Sequence, residues 1–233
     1  TYEGPCPPSP RVMQELRDMD EMRLRLYPEP ACETLNDALA AYYGIRNSQV
    51  FSGVGSDDVL SMCFLAFFAG KKPVLFPDIT YSFYDVWADV YRIPYEVQAL
   101  DDDFNIRAAD YYRENGGVVI ANPNAPTGVL QSADFIEDIV KHNRDSVVIV
   151  DEAYIDFGGE TALPLIDKYD NLVVTRTMSK SRALAGMRIG YAFGSEKLIK
   201  YLNDVKYSVN SYTMNTPALL VGKVAIEYDA SFR

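Results

Sequence analysis

Three runs of β-branched residues constrain this chain more than any other feature: 117–122 (GVVIAN), 146–151 (SVVIVD) and 171–176 (NLVVTR). Each is apolar at consecutive rather than alternate positions, so each strand buries both faces. Strands of that kind belong inside a mostly parallel sheet with helices packed on both sides. Shorter runs at 73–77 (PVLFP) and 95–99 read as further strands.

Helical spacing fills the intervals. Val12, Leu16, Met19, Met22 and Leu26 predict a helix over 11–26, stopped by Tyr27-Pro28. Leu35, Leu39 and Tyr42 predict one over 32–43, closed by Gly44, and 81–91 and 133–142 predict two more. The apolar stretch 59–69 is too short to span a bilayer and reads as a buried helix. The order is α/β throughout, without repeats or linker-like segments. From about residue 195 the pattern is helical, which predicts the start of a second structural unit. The chain begins with Thr1 and stops after Arg233, and the expectation is that both ends of a longer polypeptide are missing.

In open α/β sheets, ligands bind beyond the carboxyl ends of the strands. The residues that follow the three runs are Asn122-Pro123-Asn124-Ala125-Pro126-Thr127-Gly128, Asp151-Glu152-Ala153-Tyr154 and Thr177-Met178-Ser179-Lys180. An amide, a carboxylate with a phenol, and a lysine are thereby delivered to one rim.

Composition narrows the chemistry. With 33 acidic and 22 basic residues the formal charge is −11, a poor basis for nucleic-acid binding, which rests on Lys and Arg. The single histidine, His142, sits at the end of a polar helical stretch and reads as a surface residue, so His-rich zinc sites are nearly excluded. The three cysteines include no CxxC pair, which argues against a metal cluster or a disulfide framework and fits a reducing cytosol. Cys63 reads as core, and Asp101-Asp102-Asp103 as a solvated turn rather than a metal site. No signal peptide is visible at the start.

Taken together, the three rim segments resemble the fold-type I pyridoxal-phosphate aminotransferases. Residues 122–128 look like that family's NPxxPTG turn, 151–154 like its DEAY segment, and Ser179-Lys180 followed by Arg188 like the signature around its Schiff-base lysine. Within the family, 151–157 (DEAYIDF), 184–192 (LAGMRIGYA), Pro7-Pro8-Ser9-Pro10 and Tyr27-Pro28-Glu29-Pro30 are most similar to the histidinol-phosphate branch.

The resemblance implies an α/β fold: a mostly parallel sheet with helices on both faces, forming the large domain of a fold-type I enzyme whose C-terminal small domain is largely missing. It implies an N-terminal arm over 1–30, a cofactor domain over 31–205, and a connection to the small domain over 206–233. Pyridoxal 5'-phosphate is the implied cofactor, with no metal. Lys180 is implied as covalent anchor and proton shuttle, Asp151 as partner of the pyridine nitrogen, and Tyr154 as hydrogen-bond donor to the phenolic oxygen. Gly55, Ser56 and Asp57, at a helix start, are implied to line the phosphate together with Ser179 and Arg188. Tyr81 is implied to stack on the ring, and Tyr27 to reach the phosphate bound in a partner subunit of a homodimer.

The implied reaction moves an amino group between glutamate and 2-oxoglutarate on one side and histidinol phosphate and imidazole acetol phosphate on the other. Its setting is cytoplasmic histidine biosynthesis, with small amino and keto acids as partners and neither nucleic acid nor membrane. A threonine-phosphate decarboxylase or an aromatic aminotransferase on the same scaffold is the alternative, and a pyridoxal-phosphate-binding regulatory domain a more distant one. Two departures stand out. Ala125 occupies the slot of the usual amide, so the expectation is that Asn124 or Asn122 replaces it or that Tyr154 carries more of that hydrogen bonding. Gly4 and Cys6 stand where the branch often has Asn and Tyr.

Overall fold

The computed structural model describes residues 6–228, so Gly4 lies outside the described residues. Seven strands form one sheet in the order β1-β7-β6-β5-β4-β2-β3. They are β1 Val50–Gly53, β2 Val74–Pro77, β3 Tyr95–Gln98, β4 Gly117–Ala121, β5 Val148–Asp151, β6 Leu172–Thr177 and β7 Gly190–Gly194. The central pairs are parallel, and β7 runs antiparallel to both β1 and β6.

The β-branched runs supply both core layers at once. Val118, Ile120, Val148, Val150, Leu172 and Val174 face one cluster, while Val119, Ile149 and Val173 face the other. This is the period-two alternation of a strand with no solvated face. Of the α-helices, α1 Pro10–Asp18, α2 Glu33–Tyr43, α5 Ala133–His142 and α7 Thr216–Glu227 contribute to the first layer. Helices α3 Ser56–Phe67, α4 Tyr84–Tyr91 and α6 Glu196–Val209 contribute to the second. Among the described residues no helix is long and apolar enough to cross a membrane.

Two expectations need correction. The helix expected over 11–26 ends at Asp18, because Met19 is extended and Asp20 Oδ1 accepts the Met22 N–H at 2.9 Å, starting a separate 3-10 turn at Glu21–Arg25. A short polar side chain that bonds its own neighbouring backbone competes with helix continuation. The helix expected from Tyr81 starts at Tyr84, leaving Tyr81 free of helical geometry beside the rim. Strands β1 and β7 were not foreseen; each is four or five residues long and carries glycine. His142 does lie on the surface, stacked on Tyr112 with ring centroids 3.8 Å apart, and Cys63 is fully buried.

Candidate active site

The rim segments converge on a cavity of about 400 Å³ at the carboxyl ends of the parallel strands. Asp151 is the last residue of β5 and Lys180 follows β6, so adjacent strands place carboxylate and amine on one wall. Tyr154 lies against the lysine, with Nζ 5.2 Å from its ring centroid. Ser56, Asp57, Tyr81, Ser179 and Arg188 complete the polar lining.

Asp151 is buried and held from both sides. Its Oδ2 accepts the Tyr84 phenol at 2.9 Å and its Oδ1 accepts the Thr175 hydroxyl at 3.1 Å. Burial drives its carboxyl up to about 6, and the two hydroxyl donors oppose that rise. Thr175 is the β6 residue in register with Asp151, so the sheet itself supplies this partner. Tyr84 comes from α4 and has no counterpart among the rim motifs.

The opposite end of the cavity is an anion cradle. Helix α3 begins after Gly55 with no side chain capping its first amides, which leaves the N–H groups and the positive end of the helix dipole for a ligand. Two glycines make room. A Cβ on Gly55, whose φ is +85°, would stand 2.5 Å from Arg188 Nη2. A Cβ on Gly190 would drive into the backbone of Gly55 and Ser56. Asp57 Oδ1 accepts the Tyr81 hydroxyl at 2.7 Å, and its Oδ2 lies 3.4 Å from Arg188 Nη2. The Ser179 N–H donates to Thr177 Oγ1 at 3.1 Å, fixing the turn that presents Lys180.

Two expected residues lie elsewhere. Asn124 is buried inside the 122–128 turn, its Nδ2 donating to Ile79 O and Thr127 Oγ1 and its Oδ1 accepting Thr80 Oγ1. Asn122 is likewise engaged, by Gln131 at both amide atoms. Pro123 and Ala125 face the cavity instead. Tyr27 is exposed, stacks on Tyr212 at 4.6 Å, and borders a different surface hollow.

Behind the site, Glu152 and Arg176 form a buried ion pair not foreseen from sequence. Arg176 Nη2 and Nε reach Glu152 Oε2 at 2.8 and 3.0 Å, and Nη1 reaches the Tyr43 hydroxyl at 3.2 Å. Asp156 accepts from Ser181 and lies 3.5 Å from Arg176 Nη1, which ties the loop after β5 to the residue beside Lys180. Among the described residues no group of His, Cys, Asp or Glu is arranged to hold a metal ion.

Residues 1–226 match the family described as aminotransferase class I and II. The chain belongs to that family. A histidinol-phosphate aminotransferase of Lactococcus lactis subsp. cremoris is 50% identical over 233 residues, which are all of this chain and 65% of that protein. The chain therefore spans about 65% of the length of this curated relative. Two solved structures share the fold of this chain. The histidinol-phosphate aminotransferase of Sinorhizobium meliloti, in complex with pyridoxal-5'-phosphate, has a TM-score of 0.89 at 22% identity, covering 99% of this chain and 64% of that one. The L-threonine-O-3-phosphate decarboxylase of Porphyromonas gingivalis has a TM-score of 0.81 at 20% identity, covering 100% and 73%. Aminotransferase and decarboxylase thus share this fold, and the reaction has to be argued from the site.

Proposed function

We propose that this chain is the cofactor-binding part of a pyridoxal-phosphate-dependent aminotransferase acting on histidinol phosphate. The observation that carries the reading is the convergence of Lys180, Asp151, Tyr154 and an uncapped, glycine-cleared helix start on one cavity. The cradle fits a phosphate: amides and Arg188 face the place where a side chain at Gly55 or Gly190 would sit. Bound pyridoxal phosphate supplies an electron sink for a carbanion at the substrate α-carbon.

The chain's residues do the rest. The Lys180 amine would hold the cofactor, and the same amine would carry a proton to or from the substrate α-carbon. Asp151 holds a proton on the ring nitrogen, and pairing with that cation favours its ionised form over the raised value it has alone. Tyr154 donates to the phenolic oxygen. Tyr81 packs against the ring, oriented by its bond to Asp57. The amides of residues 55–57, Ser179 and Arg188 hold the phosphate.

The substrates in this reading are glutamate and imidazole acetol phosphate, with 2-oxoglutarate and histidinol phosphate as products. Its support is 50% identity, along the whole chain, to a protein named for that activity. A homodimer completes the reading: Tyr27, exposed and outside its own chain's cavity lining, is suited to a neighbouring subunit's site. The arm, cofactor-domain and small-domain boundaries given above belong to the same proposal. So does a cytosolic setting, supported by three free thiols.

The test is transamination by the full-length protein loaded with pyridoxal phosphate. 2-Oxoglutarate is expected from glutamate and imidazole acetol phosphate, whereas release of carbon dioxide from threonine phosphate would favour the decarboxylase. Lys180→Ala is expected to lose turnover and the visible absorbance of lysine-bound cofactor while keeping its circular dichroism. Undiminished turnover in that variant would overturn the reading.

A further inference from the structure

Lys206, on α6, is a long cationic side chain with 1% of its surface exposed. Its Nζ donates to the Pro30 carbonyl at 2.8 Å and to Cys32 Sγ at 3.2 Å. Cys32 is equally buried, at 1%. Among the described residues no carboxylate forms an ion pair with Lys206, although Glu29, Asp58 and Tyr207 act on the pair through space. The rings of Phe51 and Tyr207 lie 5.8 and 5.9 Å from Nζ. The transamination chemistry uses neither residue.

We propose that Cys32 and Lys206 are a modification site, at which hydrogen peroxide joins Sγ to Nζ through a single bridging oxygen. Both atoms are held where the link needs them. Cys32 is the left-handed residue (φ 55°) that starts α2, and Lys206 projects from a continuous helix onto it. One oxygen spans a sulfur and a nitrogen already in contact with less movement than a direct bond would require.

Cys32 forms no disulfide. Cys6 and Cys63 are both unpaired, and Lys206 is the nucleophile in contact with Cys32. A sulfenic acid reacts with a neighbouring thiol or nitrogen, and Lys206 supplies the nitrogen, so a second peroxide equivalent joins its amine to the sulfenic oxygen. The two residues before the cysteine are not buried with it: Pro30 is exposed and Ala31 half-buried.

Two equivalents of peroxide balance the reaction. The first oxidises the thiol by two electrons to S–OH and leaves one water. In the second step the hydroxyl and the neutral amine each give up one hydrogen as the O–N bond forms. The nitrogen is thereby oxidised by two electrons, the peroxide is reduced, and two waters leave. Any ammonium proton is released to solvent beforehand. The product ties the start of α2 to α6 and fixes residues 30–32, just beyond the Tyr27–Tyr212 stack.

Mass spectrometry of the full chain after graded peroxide treatment tests this. A species heavier by about 14 Da is expected, one oxygen gained and two hydrogens lost, and dithiothreitol should reverse it. Proteolysis should yield a single peptide pair joining Cys32 to Lys206, absent from Cys32→Ser and from Lys206→Met. The wild-type mass alone decides the matter if either variant misfolds. Stepwise addition of oxygen to Cys32 without a crosslinked peptide, or a Cys32 that stays reduced after Cys6 is fully oxidised, would overturn the proposal.

Discussion

The Tyr84 hydroxyl donates to Asp151 Oδ2 across 67 residues of sequence, fully buried at both ends. The tyrosine steadies a carboxylate that burial works to neutralise. Tyr84→Phe keeps the ring and removes the donor, so the Asp151 carboxyl rises further above about 6. As pH falls, activity that needs ionised Asp151 is then lost from a higher starting pH. The acid limb of the kcat/KM profile should move upward in the variant, and an unmoved limb would count against the role given to Asp151.

Asp151 also sets a conflict between stability and function. Its carboxyl is raised from 3.8 to about 6 on folding, so the cofactor-free folded state binds the proton more tightly than the unfolded chain does. Stability of that state falls as pH rises from about 4 to about 7, by roughly 3 kcal/mol if the whole shift is realised. Asp151→Asn has no charge to bury. Denaturant titration of cofactor-free protein should find the variant more stable at pH 8 and equal to wild type near pH 4, with turnover lost throughout.

Arg176→Met leaves Glu152 buried without its cation. Breaking one side of a buried pair destabilises by about 3–5 kcal/mol, and removing both partners restores part of that. A double-mutant cycle with Glu152→Gln, read by denaturant midpoint, should show the double variant more stable than Arg176→Met alone.

At the cradle, Gly190→Ala pushes a methyl group into the backbone of Gly55 and Ser56. The amides that receive phosphate are displaced, and affinity for pyridoxal phosphate should fall at least about tenfold, near 1.4 kcal/mol. Fluorescence titration measures this directly.

Ala125 lines the cavity while the flanking amides at 122 and 124 are spent on the turn. Ala125→Asn returns a donor to the wall, so cofactor release should slow about fivefold, the worth of one net hydrogen bond. Asn124→Ala acts differently: it loosens the turn, and should lower the melting temperature before it touches cofactor affinity.

What could be read from residue order followed from local physics. The β-branched runs gave the central strands because burial on both faces leaves an unbroken apolar signature. The polar residues after them fell together at the rim because parallel strands end on one side. Strands β1 and β7 escaped because Val50–Gly53 and Gly190–Gly194 are short and glycine-bearing, with no pattern until they pair with each other. Tyr84, Arg176 and the inward turn of Asn124 depend on neighbours dozens of residues away. The Asp20 cap was visible as a residue type, but the apolar spacing through Met22 and Leu26 masked it; those side chains are exposed.

The contact of Gly190 with Gly55 and Ser56 has a kinetic side. The strand pairing that sets it, Gly53 with Gly190, joins positions more than a hundred residues apart, and closing so long a loop costs entropy and slows folding. The phosphate cradle therefore depends on β1 pairing with β7, the pairing of greatest sequence separation in the sheet. Recovery of cofactor binding during refolding should trail recovery of the central strands, making the ligand a reporter of the final step of sheet assembly.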